Sequence, residues 1–138
     1  MSAGYSGTPL IKKLGIKAGF RIAIINAPDH YLELLGDLPD GVTVDDEIVN
    51  FDEGYDFVHA FYIHRVDYEA DFELLKSAIK KNGMVWVSWY KKSSKMPTDI
   101  IEDVIRDVAL AGGLVDVKVA AIDQQWSGLK LVYRTIDR

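Results

Sequence analysis

A chain of 138 residues without cysteine has no disulfide, no thiolate catalysis and no thiolate metal site, which points to the cytoplasm. Its net charge of −5 argues against nucleic-acid affinity, since that needs a basic footprint. The 49% apolar and 27% charged residues are those of one globular domain spanning 1–138, with no apolar run near the ~20 residues of a membrane span and no hydrophobic signal core at the start.

Residues 1–8, MSAGYSGT, are small and glycine-rich. Thr8 is placed to cap a short helix with Pro9 at its first position, running through Lys12 and Lys13 to Leu14. If that helix runs antiparallel to the strand that follows, Tyr5–Thr8 reach the carboxyl edge of the sheet. The strand is carried by RIAIINAPD (21–29), where four consecutive apolar residues, Ile22 to Ile25, read as buried on both faces in a parallel sheet. Asn26 to Asp29 then bend the chain into a two-turn helix, Asp29–Leu35, closed by Gly36.

Asp40-Gly41 signals a turn and Val42–Val44 a short second strand. In the segment DDEIVNFDEG, Ile48, Val49 and Phe51 suggest packing back onto the body. Tyr55–Ile63 reads as a third strand. A helix capped by Asp67 runs to Lys81, with Phe72, Leu75, Ala78 and Ile79 as its apolar side and Asn82-Gly83 as its stop. Met84–Tyr90 is a fourth strand. After the basic loop Lys91–Pro97 comes a helix from Thr98 to Ala111, with Ile101, Val104, Ile105 and Val108 as its core stripe. Val115–Ile122 and Leu129–Tyr133 are joined by a link too short for a crossover helix, so they form an antiparallel hairpin. The expected fold is α/β: a three-layer, Rossmann-like, mostly parallel sheet with a C-terminal antiparallel hairpin. That topology resembles the methyltransferase-like branch of Rossmann folds, an analogy that licenses no activity.

Charge is unevenly spread. Residues 1–21 carry Lys12, Lys13, Lys17 and Arg21 and no acid, whereas residues 22–64 carry ten acids and no Lys or Arg. Either the two segments pair, or they form faces of opposite sign with the basic one reserved for an anionic ligand.

In such sheets ligands sit beyond the carboxyl ends of the strands. A dinucleotide or S-adenosylmethionine site also wants glycines at the first strand–helix turn, which here reads NAPDHY: Pro28 lacks an N–H, and Asp29 is negative. Asp45 or Asp46, about 20 residues on, occupies the place of the ribose-binding acid in that fingerprint. Lys91, Lys92, Ser93 and Ser94, ahead of a helix, offer ammonium and hydroxyl groups to a phosphate, sulfate or carboxylate. Among the histidines, His59 is mid-strand and reads as a satisfied core residue, while His30 and His64 follow strand ends and suit acid–base work. Their spacing makes no metal site, and Asp45-Asp46-Glu47 reads as a solvated acidic turn. Trp126, in the last hairpin loop, either covers a pocket or caps the core. No G-x-S-x-G elbow surrounds Ser93, Ser94 or Ser127, so a serine hydrolase has no support.

The stretches GYSGTPLIKKLGI, NAP, KKSS and LVDVKVAAIDQQWSGLK resemble a small bacterial family of domains of unknown function, over nearly the whole chain. That resemblance implies a compact, single-domain cytosolic protein and supplies no activity, catalytic residue or cofactor. The leading expectation is therefore a non-enzymatic or vestigial Rossmann-like domain, without a cofactor, that takes a small anionic ligand or a protein partner at the carboxyl edge. Lys91, Lys92, Ser93 and Ser94 would contact the anion, with Asn26, Arg65 and Trp126 lining the pocket. The alternative is an enzyme with a divergent nucleotide or S-adenosylmethionine site using Asp45 or Asp46; a homodimer through the aromatic third-strand region is a third.

Overall fold

The computed structural model describes residues 8–49 and 52–138, so the expectations for Tyr5 and Phe51 lie outside the described residues. Among these residues six strands form one sheet: β1 Arg21–Ile25, β2 Thr43–Asp45, β3 Tyr55–Phe61, β4 Ile79–Tyr90, β5 Leu114–Ala121 and β6 Trp126–Tyr133. Their order is β2-β1-β3-β4-β6-β5; the first four are mutually parallel, and β6 runs antiparallel to both β4 and β5. The last strand of the chain is thus inserted between β4 and β5. Among the described residues no helix is long and apolar enough to cross a membrane.

The apolar strand runs dictate a layer on each face. Helices α1 (Leu10–Leu14) and α2 (Tyr31–Leu35) cover one face, where Leu10, Leu14, Tyr31 and Leu35 pack with Ile22, Phe57, Phe61, Trp86 and Trp126. Helices α3 (Arg65–Ala78) and α4 (Glu102–Ala111) cover the other, where Tyr68, Phe72, Leu75, Ile105 and Ala109 meet Val58, Val85, Val87 and Leu131. The sheet alternation is strict enough to put Phe57, His59 and Phe61 under α2 and Val58 and Ala60 under α3.

Several element boundaries differ from the sequence expectation; α3 begins at Arg65 with His64 as its N-cap, not at Asp67. Pro9 is the N-cap of α1, one place outside the helix, and its carbonyl accepts the amides of Lys12 and Lys13. Helix α3 stops at Ala78, not Lys81, because Ile79 is already extended (φ −91°, ψ 149°) and buried in the core as the first residue of β4. Asn82-Gly83 is not a helix stop but part of a bulge: Tyr55 pairs with Ile79 and Phe57 with Met84. Gly83 is required there, since a Cβ would stand 2.8 Å from the carbonyl oxygen of Tyr55.

Helix α4 starts at Glu102 rather than Thr98. The Thr98 hydroxyl donates to the Ile63 carbonyl at the end of β3 and accepts the Ile100 amide at 3.1 Å, which holds residues 98–101 out of the helix. Ile100 (1% exposed) consequently fills the core place expected of Ile101, which is 53% exposed.

Candidate functional site at the carboxyl edge

The chain reverses direction of travel across the sheet between β1 and β3, and it is there that a parallel α/β sheet opens a crevice. The bend after β1 needs a left-handed residue, and Asn26 supplies it at φ 57° in place of a glycine. Its side chain closes the fork between the two strands, Nδ2 donating to the Phe61 carbonyl at 3.2 Å. Asn26→Ala is expected to destabilise by about 1–2 kcal/mol, from left-handed strain plus the lost bond. Asn26→Gly, which keeps the bend, should lose about half as much. Urea unfolding of the two variants measures the difference.

Two lobes meet at Asn26 and Pro28. One, about 510 Å³, is walled by Ile24, Tyr31, Leu32 and Val44 and carries Asp29 and Asp46. The other, about 620 Å³, lies over the ends of β3 and β4 and is lined by Tyr62, His64, Asp67, Asp71, Tyr90 and Trp126, among others. Neither lining contains a lysine or arginine. A smaller recess of about 380 Å³ continues past Ile63, His64 and Tyr90 to Met96 and Pro97.

The walls are fixed by hydrogen bonds. Tyr62 donates to Asp71 at 2.7 Å, and burial followed by that bond drives the phenol pKa well above its ordinary value. Trp126 is 5% exposed, stacked on Tyr90 at 4.2 Å and edge-on to Phe61 at 5.0 Å, so it caps the core and forms a wall together. His30 Nε2 lies 3.1 Å from Asp123 Oδ2, while Asp123 Oδ1 accepts the amides of Gln125 and Trp126 at 2.8 Å each. That acid ties the start of α2 to the hairpin turn. Mid-sheet His59 is fully buried and satisfied, as a core residue should be, by Tyr31 and Ser88 at 2.8 Å each.

The residues expected to share one pocket are divided. Asn26 and Trp126 line the central lobe. Lys91, Lys92 and Ser93 instead line a separate recess of about 640 Å³ with Trp89, Ile101 and Ser127, and Glu102 and Asp103 stand in the same wall. Ser94 is consumed by its own turn, donating to the Lys91 carbonyl at 2.6 Å and accepting the Met96 amide at 3.2 Å. Arg65 lines no part of the cleft: its side chain lies 3.5 Å from Glu69 one turn along α3, and its amide is capped by Asp99 at 2.7 Å. Asp45 binds Tyr55 (2.6 Å) and Arg21 (3.1 Å), which in that order hold its carboxyl below the usual range, so of this pair Asp46 is the one presented to the cleft. Sequence reasoning does not find Tyr62, Asp71 and Tyr90 as site residues, and takes Asp67 only as a helix cap. Their one signal was proximity to the ends of β3 and β4.

No family model matches the chain, and no curated protein does. Solved structures do. A SAM-dependent methyltransferase from Aquifex aeolicus superposes with TM-score 0.63 at 15% identity, over 88% of this chain and 86% of that one. The fold is that of the SAM-dependent methyltransferases. A putative methyltransferase from Haloferax volcanii, solved with the Trm112 methyltransferase activator, gives 0.60 at 10% identity over 89% and 86% of the two chains. One from Thermoplasma acidophilum gives 0.58 at 12% identity over 93% and 75%. These identities speak for the methyltransferase fold alone. At the β1 turn this chain has Asn26, Ala27 and Pro28 where a nucleotide-binding Rossmann fingerprint has glycines.

Proposed function

We propose that the two-lobed cleft binds a nucleoside-bearing ligand whose remaining part is neutral or cationic, an adenosyl compound of the S-adenosylmethionine class. The observation that carries this reading is the lining: Asp46, 20 positions after Asn26 at the end of β2, together with apolar walls and no lysine or arginine among the described residues of either lobe. An acid at that place suits a ribose diol, and the flat walls of Ile24, Leu32 and Val44 suit a base. Asp67 and Asp71 in the adjoining lobe favour a positive group and disfavour a phosphate. The fit is to the nucleoside and the cationic centre: such a ligand, when bound, would supply an electrophilic methyl group, and the chain's own part is to hold the diol and orient the charge. The methyltransferase fold supports the same assignment.

In a thermal-shift experiment S-adenosylmethionine and S-adenosylhomocysteine are expected to raise Tm, and ATP is not, because a ligand that binds only the folded state stabilises it. Asp46→Ala should remove the shift with little change in the ligand-free Tm. A larger shift with ATP, or an unchanged shift in Asp46→Ala, would sink the reading. An anion held by Lys91, Lys92 and Ser93 is a second reading, favoured by their shared recess at the start of α4 and opposed by Glu102 and Asp103 beside them. Sulfate stabilisation lost in Lys92→Ala would revive it. A protein partner is supported by the Haloferax neighbour, solved with an activator protein.

A further inference from the structure

The lysines of the basic arm do not face the acidic cleft. Lys13 reaches from α1 to the Ala121 carbonyl at 3.3 Å, and Trp86 Nε1 donates to the Leu14 carbonyl at 3.0 Å, so α1 lies across β4, β6 and the end of β5. On that stretch Lys118 and Lys130 are registered partners on neighbouring antiparallel strands. Lys130 is also the partner of Trp86, hence on the same face as α1. Lys17 leaves α1 three residues beyond Leu14, close enough to act on the charge of Lys130.

Like charges directly opposite each other destabilise an antiparallel pair. Here no acid offsets them: Lys17, Lys118 and Lys130 make no side-chain hydrogen bond or ion pair with another described residue. The opposite face shows what balance looks like, since Arg106 is held there by Glu102, Asp103 and Asp116. Burial first, and then Lys118 and Lys17, weaken the hold of Lys130 on its proton. A half-buried lysine facing two others is the arrangement that a bound multivalent anion would relieve.

We propose that Lys17, Lys118 and Lys130 form a binding site for a multivalent oxyanion of the pyrophosphate or oligophosphate class, on the sheet face beside α1 and separate from the carboxyl-edge cleft. Three ammonium groups on one patch match an anion of several charges better than a single carboxylate or sulfate. None of the three lines either lobe of the cleft, so the site stands or falls independently of the adenosyl reading.

The test is Tm at constant ionic strength with sodium pyrophosphate, inorganic phosphate or sodium chloride. Saturating pyrophosphate is expected to raise Tm by roughly 5–10 °C, the shift for a ligand about 100-fold above its Kd. Phosphate should give less and chloride none. Lys130→Met should melt higher than the parent without anion, because it removes the repulsion, and should lose most of the pyrophosphate shift. Lys118→Gln should lose it too, whereas Lys95→Gln and Asp46→Ala should keep it. No shift, an equal shift with chloride, or a pyrophosphate shift that survives in Lys130→Met and Lys118→Gln overturns the proposal.

Discussion

His59→Ala is expected to destabilise the protein by about 4 kcal/mol, a large part of the ~5–15 kcal/mol that holds such a domain together. The imidazole is fully buried and joins Tyr31 of α2 to Ser88 of β4, with 2.8 Å on each side. Truncation leaves a void and strands two hydroxyls in the core, and each orphaned group adds about 1–3 kcal/mol. Tyr31→Phe and Ser88→Ala, which each strand one ring nitrogen, should lose about 1–3 kcal/mol. Urea unfolding of the singles and doubles would show whether the three act as one unit.

The same histidine sets an acid limit. Burial lowers its pKa from 6.5 to about 3, so the unfolded chain takes up this proton near pH 6.5 and the folded one does not until about pH 3. The unfolded state therefore binds more protons within that window, and stability falls as pH drops through it, by up to roughly 1.4 kcal/mol per pH unit for this group. Between pH 6.5 and 5, His59→Phe should show a shallower slope than the parent in pH-dependent urea melts.

Trp86→Ala should be comparably severe, about 3–5 kcal/mol, since Trp86 is fully buried and the largest such side chain. It also carries a bond from the sheet centre to the end of α1, Nε1 to the Leu14 carbonyl. Trp86→Phe keeps most of the apolar volume but removes that donor, and should lose about 1–3 kcal/mol. Hydrogen exchange gives the local readout: the amides of Gly15 and Ile16, both bonded to the Ile11 carbonyl, should lose protection in Trp86→Phe before the sheet does.

Much of the fold was legible because buried parallel strands leave a signal that needs no tertiary knowledge. Ile22–Ile25 and Met84–Tyr90 are apolar on both faces, and the short link between the last two strands forces a hairpin. The misread boundaries were set by distant groups. Ile79 leaves the helix to enter the core, and Thr98 is held by the Ile63 carbonyl 35 positions away. The carboxyl edge was legible on the same terms, because strand ends can be counted. Which side chains turn into it was not. Asp45 and Asp46 are neighbours, but the first is captured by Tyr55 and Arg21 and the second is left to the cleft. The lysine–serine turn shares the edge with Asn26 yet opens into another recess, and Arg65 runs along its own helix.

Among the described residues no strand pairs with the outer border of β5, and along it Val117 and Val119 are 54% and 48% exposed. Lys118, between them, is therefore also a guard: an ammonium on a free border discourages another chain from docking its backbone there. A chain stripped of that charge would trade repulsion within one molecule for stickiness between molecules, favouring fibrils or amorphous clumps on heating. Evolution can keep an unfavourable pair of lysines for that reason as well as for an anion.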